Sequence, residues 1–74
     1  MEIKERIAEY RGFIEDPLPQ QLNVAFYDNM ARGLIEAADD KAEQVKEILF
    51  SYRHHLINNV GIEMALDEVE KLFT

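Results

Sequence analysis

Two adjacent histidines, His54 and His55, are the residues of this 74-residue chain whose type most directly suggests chemistry, and that chemistry would be metal ligation. On a helix, two ligands reach one ion only when they stand three or four positions apart. At that spacing His54 has Phe50, Ser51, Ile57 and Asn58, and His55 has Ser51, Tyr52, Asn58 and Asn59. None of these offers a carboxylate, an imidazole or a thiol, so no metal site is expected. The pair reads instead as two side chains near the C-terminal end of a helix, where the helix dipole favours a cation. Protonation there would make an association pH-sensitive between about pH 5 and 7. Covalent chemistry has little to work with, because the chain has no Cys and its only aliphatic hydroxyls are Ser51 and Thr74. Gly12, Gly33 and Gly61 are isolated, so no glycine-rich loop exists to cradle a phosphate. Tyr10, Tyr27 and Tyr52 read as core or seam residues whose hydroxyls reach solvent. No cofactor is expected.

Glu2-x-x-Glu5 and Glu36-x-x-Asp39 form the best carboxylate constellation. Four carboxylates from two helices are able to hold Mg²⁺ for hydrolysis of a pyrophosphate bond. The pattern resembles the paired motifs of all-α nucleotide pyrophosphohydrolases of the MazG type, and the resemblance implies Mg²⁺-dependent nucleotide hydrolysis with those four residues at the metal. It covers four acidic residues in a chain where 15 of 74 are acidic. The chain is short for that family and has no basic cluster for substrate phosphates. Solvated helix faces are the expected role of these carboxylates, and no enzyme activity is expected.

The elements that would position any site are helices, because apolar residues recur at helical spacing nearly everywhere and no segment alternates as a half-buried strand would. A first helix over about 2–14 places Ile3, Ile7, Tyr10 and Ile14 on one seam, with Phe13 at its edge and Gly12 opposite. Asp16-Pro17-Leu18-Pro19 stops it. A second helix over about 20–38 carries Leu22, Phe26, Met30, Leu34 and Ala37 on one face and Val24, Ala31 and Ile35 on a strip beside it, with Tyr27 between. Its polar face holds the spacings Asp28–Arg32 and Arg32–Glu36, worth a few tenths of a kcal/mol each. A third helix over about 40–58 buries Ala42, Val45, Ile48, Leu49, Tyr52 and Leu56. Asp40-Lys41-Ala42-Glu43 resembles a capping box and predicts a turn near Asp39. No Gly or Pro separates these two helices, so one helix over 20–58 is the alternative. Asn58-Asn59-Val60-Gly61 reads as a stop, and a fourth helix over about 62–73 places Ile62, Ala65, Leu66, Val69, Leu72 and Phe73 on one face. The expectation is all-α: one domain over 1–74, a compact three- or four-helix bundle, dimeric.

Charge narrows the function. The chain has 8 Lys+Arg against 15 Asp+Glu, a net charge of −7, spread over both halves without a basic patch. Direct nucleic-acid binding and attachment to anionic membranes are therefore disfavoured. Hydrophobic content is an ordinary 47%, and the longest apolar run, Val24–Tyr27, is far short of the roughly 20 residues of a membrane span. A soluble cytoplasmic protein is expected.

Helical phase leaves an apolar surplus. Lys46, Phe50, Arg53 and Ile57 form a stripe at 4-3-4 spacing off the main face of the third helix. With the Val24/Ala31/Ile35 strip it exceeds what one small core obviously uses, and Met64 falls on the polar side of the fourth helix. Contiguous exposed apolar area marks protein interfaces, and a 4-3-4 stripe suits a helical partner. The expected interface is Ile35, Lys46, Phe50, Arg53 and Ile57, with the two cations at its rim. The expected function is a small acidic regulator, adaptor or inhibitor that occupies a partner protein's surface, and also pairs with a second copy. Such a chain suits a bacterial or phage accessory factor. An alternative is an acidic nucleic-acid mimic, with Glu63, Asp67 and Glu70 as its best carboxylate row.

Overall fold

A computed structural model describes residues 2–15, 24–53 and 59–74, and these form four α-helices and no strand. Helix α1 spans Ile3–Glu15, α2 Val24–Ala37, α3 Ala42–Arg53 and α4 Asn59–Lys71. At 1.5 Å per residue they are rods of about 18–21 Å. Each packs on two others, α1 on α2, α2 on α3, α3 on α4, and α4 back on α1. Neighbours run antiparallel: Arg53 at the end of α3 meets Asp28 near the start of α2, and Lys41 just before α3 donates to the Leu72 carbonyl just after α4. The molecule is an up-down-up-down four-helix bundle.

The core follows the predicted seams. Ile3, Ile7 and Ile14 of α1, Met30 and Leu34 of α2, Val45 and Leu49 of α3, and Ile62, Ala65, Leu66 and Val69 of α4 are all buried. Tyr27 departs from expectation. Its hydroxyl does not reach solvent: the side chain is only 1% exposed, and the hydroxyl donates to the Leu49 carbonyl at 2.5 Å. Burial, reinforced by the neighbouring Asp28 charge, pushes its phenol up to about 12.

The continuous helix over 20–58 does not form. The chain reverses through Ala38 and a 3₁₀ turn over Asp39–Lys41, and Asp39 takes a φ of 54°. That left-handed geometry costs most side chains about 1–2 kcal/mol, and Asp is among the few that visit it. Backbone bonds close the reversal, from Ala38 N–H to the Ile35 carbonyl at 3.2 Å and from Lys41 N–H to the Ala38 carbonyl at 3.0 Å. Ala38 itself is buried, so the apolar pattern runs through the turn without interruption, which is why the two faces line up in the sequence.

One boundary shifts. Asn59, Val60 and Gly61 do not end α3; they form the first turn of α4, and Gly61 has no positive φ. Asn opens helices as readily as it closes them, so the same residues fit either end. The expected stop at 16–19, Leu22, and the side chains of His54, His55, Leu56 and Ile57 lie outside the described residues.

The radius of gyration is 11.1 Å, against about 11 Å for a compact domain of this length. The accessible surface is 4793 Å², against about 4,700 Å² for a compact monomer of this mass. A single copy thus closes its own core.

Candidate functional site

Described parts of the two apolar strips left over by helical phase border one groove. Ala31 and Ile35 on α2 and Phe50 on α3 line a shallow open groove of about 380 Å³, together with Asp28, Arg32 and Arg53. Because α2 and α3 are antiparallel, Asp28 and Arg53 come together at one end, and Ile35 and Phe50 lie further along. Ala31 is buried and Ile35 half-buried, whereas Phe50 remains 52% exposed. Lys46, one turn before Phe50, holds its Nζ 5.6 Å from the centre of the Phe50 ring, within cation–π range.

The end of the groove is fixed by a bidentate pair, Arg53 Nε to Asp28 Oδ1 at 2.9 Å and a terminal guanidinium nitrogen to Oδ2 at 3.1 Å. This fork geometry gives more positional definition than a single contact. The hydrogen bonds from Arg53 hold the Asp28 carboxyl below its ordinary range, and the same bonds raise Arg53. The sign follows: the pair contributes above the ordinary carboxylate range, and its contribution is lost as pH falls through the lowered Asp28 value.

Of the interface residues expected from sequence, Ile35, Phe50 and Arg53 meet at the groove and Lys46 stands over Phe50, while Ile57 lies outside the described residues. Arg53 is not a free rim cation, since Asp28 takes up its guanidinium. Asp28 and Arg32 were the lining residues that sequence reasoning placed on the polar face. The signal for Asp28 was present, because it lies roughly 20° of helical phase from Ile35. Arg32 makes no ion pair within 4 Å to a described residue, so neither expected (i, i+4) pair on α2 forms in that way.

The carboxylate constellations are placed elsewhere. Glu2 and Asp39 both line a hollow of about 540 Å³ at one end of the bundle, but Glu5 and Glu36 do not. Among the described residues no three of His, Asp and Glu stand close enough together to hold a metal ion. The acidic row of α4 is bridged to α1: Arg11 reaches Asp67 at 2.7 Å and Glu70 at 3.3 Å. The hydrogen bond to Asp67 raises Arg11 most. Ser51 donates its hydroxyl to the Ile48 carbonyl of its own helix at 2.8 Å. Among the described residues no helix is long and apolar enough to cross a membrane.

Fold and groove together define a small all-α bundle with an apolar inter-helix groove and charged edges. Comparison with protein-family models, curated proteins and solved structures finds no match to this chain.

Proposed function

We propose that this chain is a protein-binding module, a regulator, adaptor or inhibitor that acts by seating a partner protein on the α2–α3 groove. The observation that carries the reading is Phe50. A large aromatic side chain stands half in solvent at the mouth of a groove whose floor is Ala31 and Ile35. Burying it costs little ordering, because the Asp28–Arg53 pair and the Lys46 contact already set its surroundings. Aromatic anchors in preformed pockets carry much of the energy of protein interfaces.

The experiment compares three folded chains as baits in lysate of the source cells: wild type, Phe50→Asp and Phe13→Asp. Phe13 is 58% exposed on α1 and controls for loss of any exposed aromatic. Proteins captured by wild type and Phe13→Asp but lost with Phe50→Asp support the reading. An identical captured set for all three removes it.

A further inference from the structure

We propose that Lys41 is a conformational latch: it makes the α2–α3 reversal and the close of α4 open and shut as one unit, over the hollow that lies between them. The device is independent of the α2–α3 groove.

Helix α4 closes without a left-handed cap, because among the described residues the only positive φ is at Asp39. Its last carbonyls are taken up in other ways. Leu72 N–H donates to the Val69 carbonyl at 3.1 Å and Phe73 N–H to the Glu70 carbonyl at 3.0 Å, the three-residue spacing that tightens a final turn. The Thr74 hydroxyl donates to the Lys71 carbonyl at 3.2 Å. The Leu72 carbonyl remains, and Lys41 Nζ donates to it from 31 positions earlier in the chain. The same ammonium stands 5.1 Å from the centre of the Phe73 ring, within cation–π range.

Lys41 also belongs to the reversal. Its backbone N–H closes the 3₁₀ turn on the Ala38 carbonyl, two residues after the left-handed Asp39. Ala38 has no polar side chain to cap that turn, so Lys41 supplies its polar tie to α4. Asp39, Asp40 and Glu2 line the same hollow, yet no described carboxylate lies within 4 Å of the Lys41 ammonium. Its charge is committed to a carbonyl and a ring. Buried Ile3 and Ala38 and half-buried Phe73 form apolar wall of that hollow. Releasing Lys41 unpairs the Leu72 carbonyl, frees the Phe73 ring and unties the reversal in a single step. This is a local opening, short of global unfolding, and it uncovers Ile3 and Ala38 at the end of the bundle opposite Asp28 and Arg53.

The test is amide hydrogen exchange by NMR on the full chain, read at the bonded amides of Ala38 and Lys41 in the reversal and of Leu72 and Phe73 after α4. In wild type the four should share one protection, lower than that of the core amides. Asp39→Gly relieves the left-handed backbone and acts on the reversal alone. With the latch in place it should raise protection at all four amides by about fivefold. In a Lys41→Met background, where the side chain keeps its length but neither donates nor carries charge, Asp39→Gly should raise only Ala38 and Lys41. A rise confined to the reversal in wild type means that the two ends open separately and overturns the proposal. A rise at all four without the Lys41 ammonium means that the coupling runs through other contacts and also overturns it, as does protection equal to that of the core. A second readout uses the absence of Cys from the chain: Ala38→Cys supplies a single thiol in the wall of the hollow. Its labelling should be at least about tenfold faster with Lys41→Met, from the loss of one charged hydrogen bond and one cation–π contact. Equal labelling rates would show that the hollow opens without Lys41 and would end the proposal.

Discussion

Tyr27 shows how a single residue couples core, groove and pH. Its ring fills the interior, its hydroxyl crosses from α2 to the Leu49 carbonyl of α3, and the next residue, Asp28, holds Arg53. Removing the hydroxyl with Tyr27→Phe leaves the packing in place and deletes one buried hydrogen bond, an expected loss of about 1 kcal/mol at pH 8 in urea unfolding. The phenol is also pushed up to about 12 by burial, so the folded state favours its neutral form. That contribution is fully present below about pH 10, the ordinary phenol value, and is lost as pH rises toward the folded value. Wild type should therefore lose stability more steeply than Tyr27→Phe between pH 10 and 12. Parallel curves across that window would contradict the assignment. Nothing in the residue pattern buries this hydroxyl, since an aromatic between two apolar strips is equally at home at a wet edge; only the partner carbonyl on a different helix decides it.

At the scale of elements, the seam of α1 and the main faces of α3 and α4 were legible because helical period alone assigns them. What period could not assign was how closely two helices approach. Gly12 and Gly33 look alike in sequence, each a glycine inside a helix. Around Gly12 there is open space within 4 Å, whereas a Cβ on Gly33 would stand 2.6 Å from the Tyr10 hydroxyl and 3.2 Å from an Arg6 guanidinium nitrogen. Tyr10 has limited room to retreat, because its ring meets Phe26 edge-on at 6.3 Å. Alanine offers the same propensity gain at both sites, about 1 kcal/mol. Gly12→Ala should thus stabilise by about that amount, while crowding of about 1–3 kcal/mol should make Gly33→Ala neutral to destabilising. Thermal or urea unfolding of the pair reads the difference directly, and equal stabilisation would mean that α1 does not press on α2 there. The turn at Asp39 was legible from its neighbours' capping pattern, although backbone bonds close it. The start of α4 was misplaced because Asn and Gly signal an end without saying which end.

For the whole molecule, the apolar surplus inferred from helical phase divides into two parts once the bundle is closed. Part of it is consumed internally: Ala31 is buried, Ile35 half-buried, and these two border the same groove as Phe50 instead of pointing to the opposite side. The part that stays outside is Val24 and Phe50 of the two strips, with Phe13 on α1 and Val60 and Met64 on α4. The sequence showed which residues were left over, but not that Ala31, Ile35 and Phe50 border one groove, because the antiparallel order of α2 and α3 decides that. This separates two roles that association could have played. A bundle whose radius and surface match those of a compact monomer has a core already enclosed within one copy, so the expectation is that association serves binding and that each copy folds alone. Cores of this length ordinarily supply only about 3–5 kcal/mol, and that modest stability should belong to the single chain. The consequence is measurable by urea unfolding at 2 concentrations about fiftyfold apart. If each copy folds alone, the midpoint stays fixed. If folding required a dimer, mass action would raise the midpoint with concentration, because the native state would then be stabilised by its own partner. A fixed midpoint together with loss of partner binding in Phe50→Asp would place stability in the four-helix core and recognition at the α2–α3 groove, as two separable properties of one 74-residue chain.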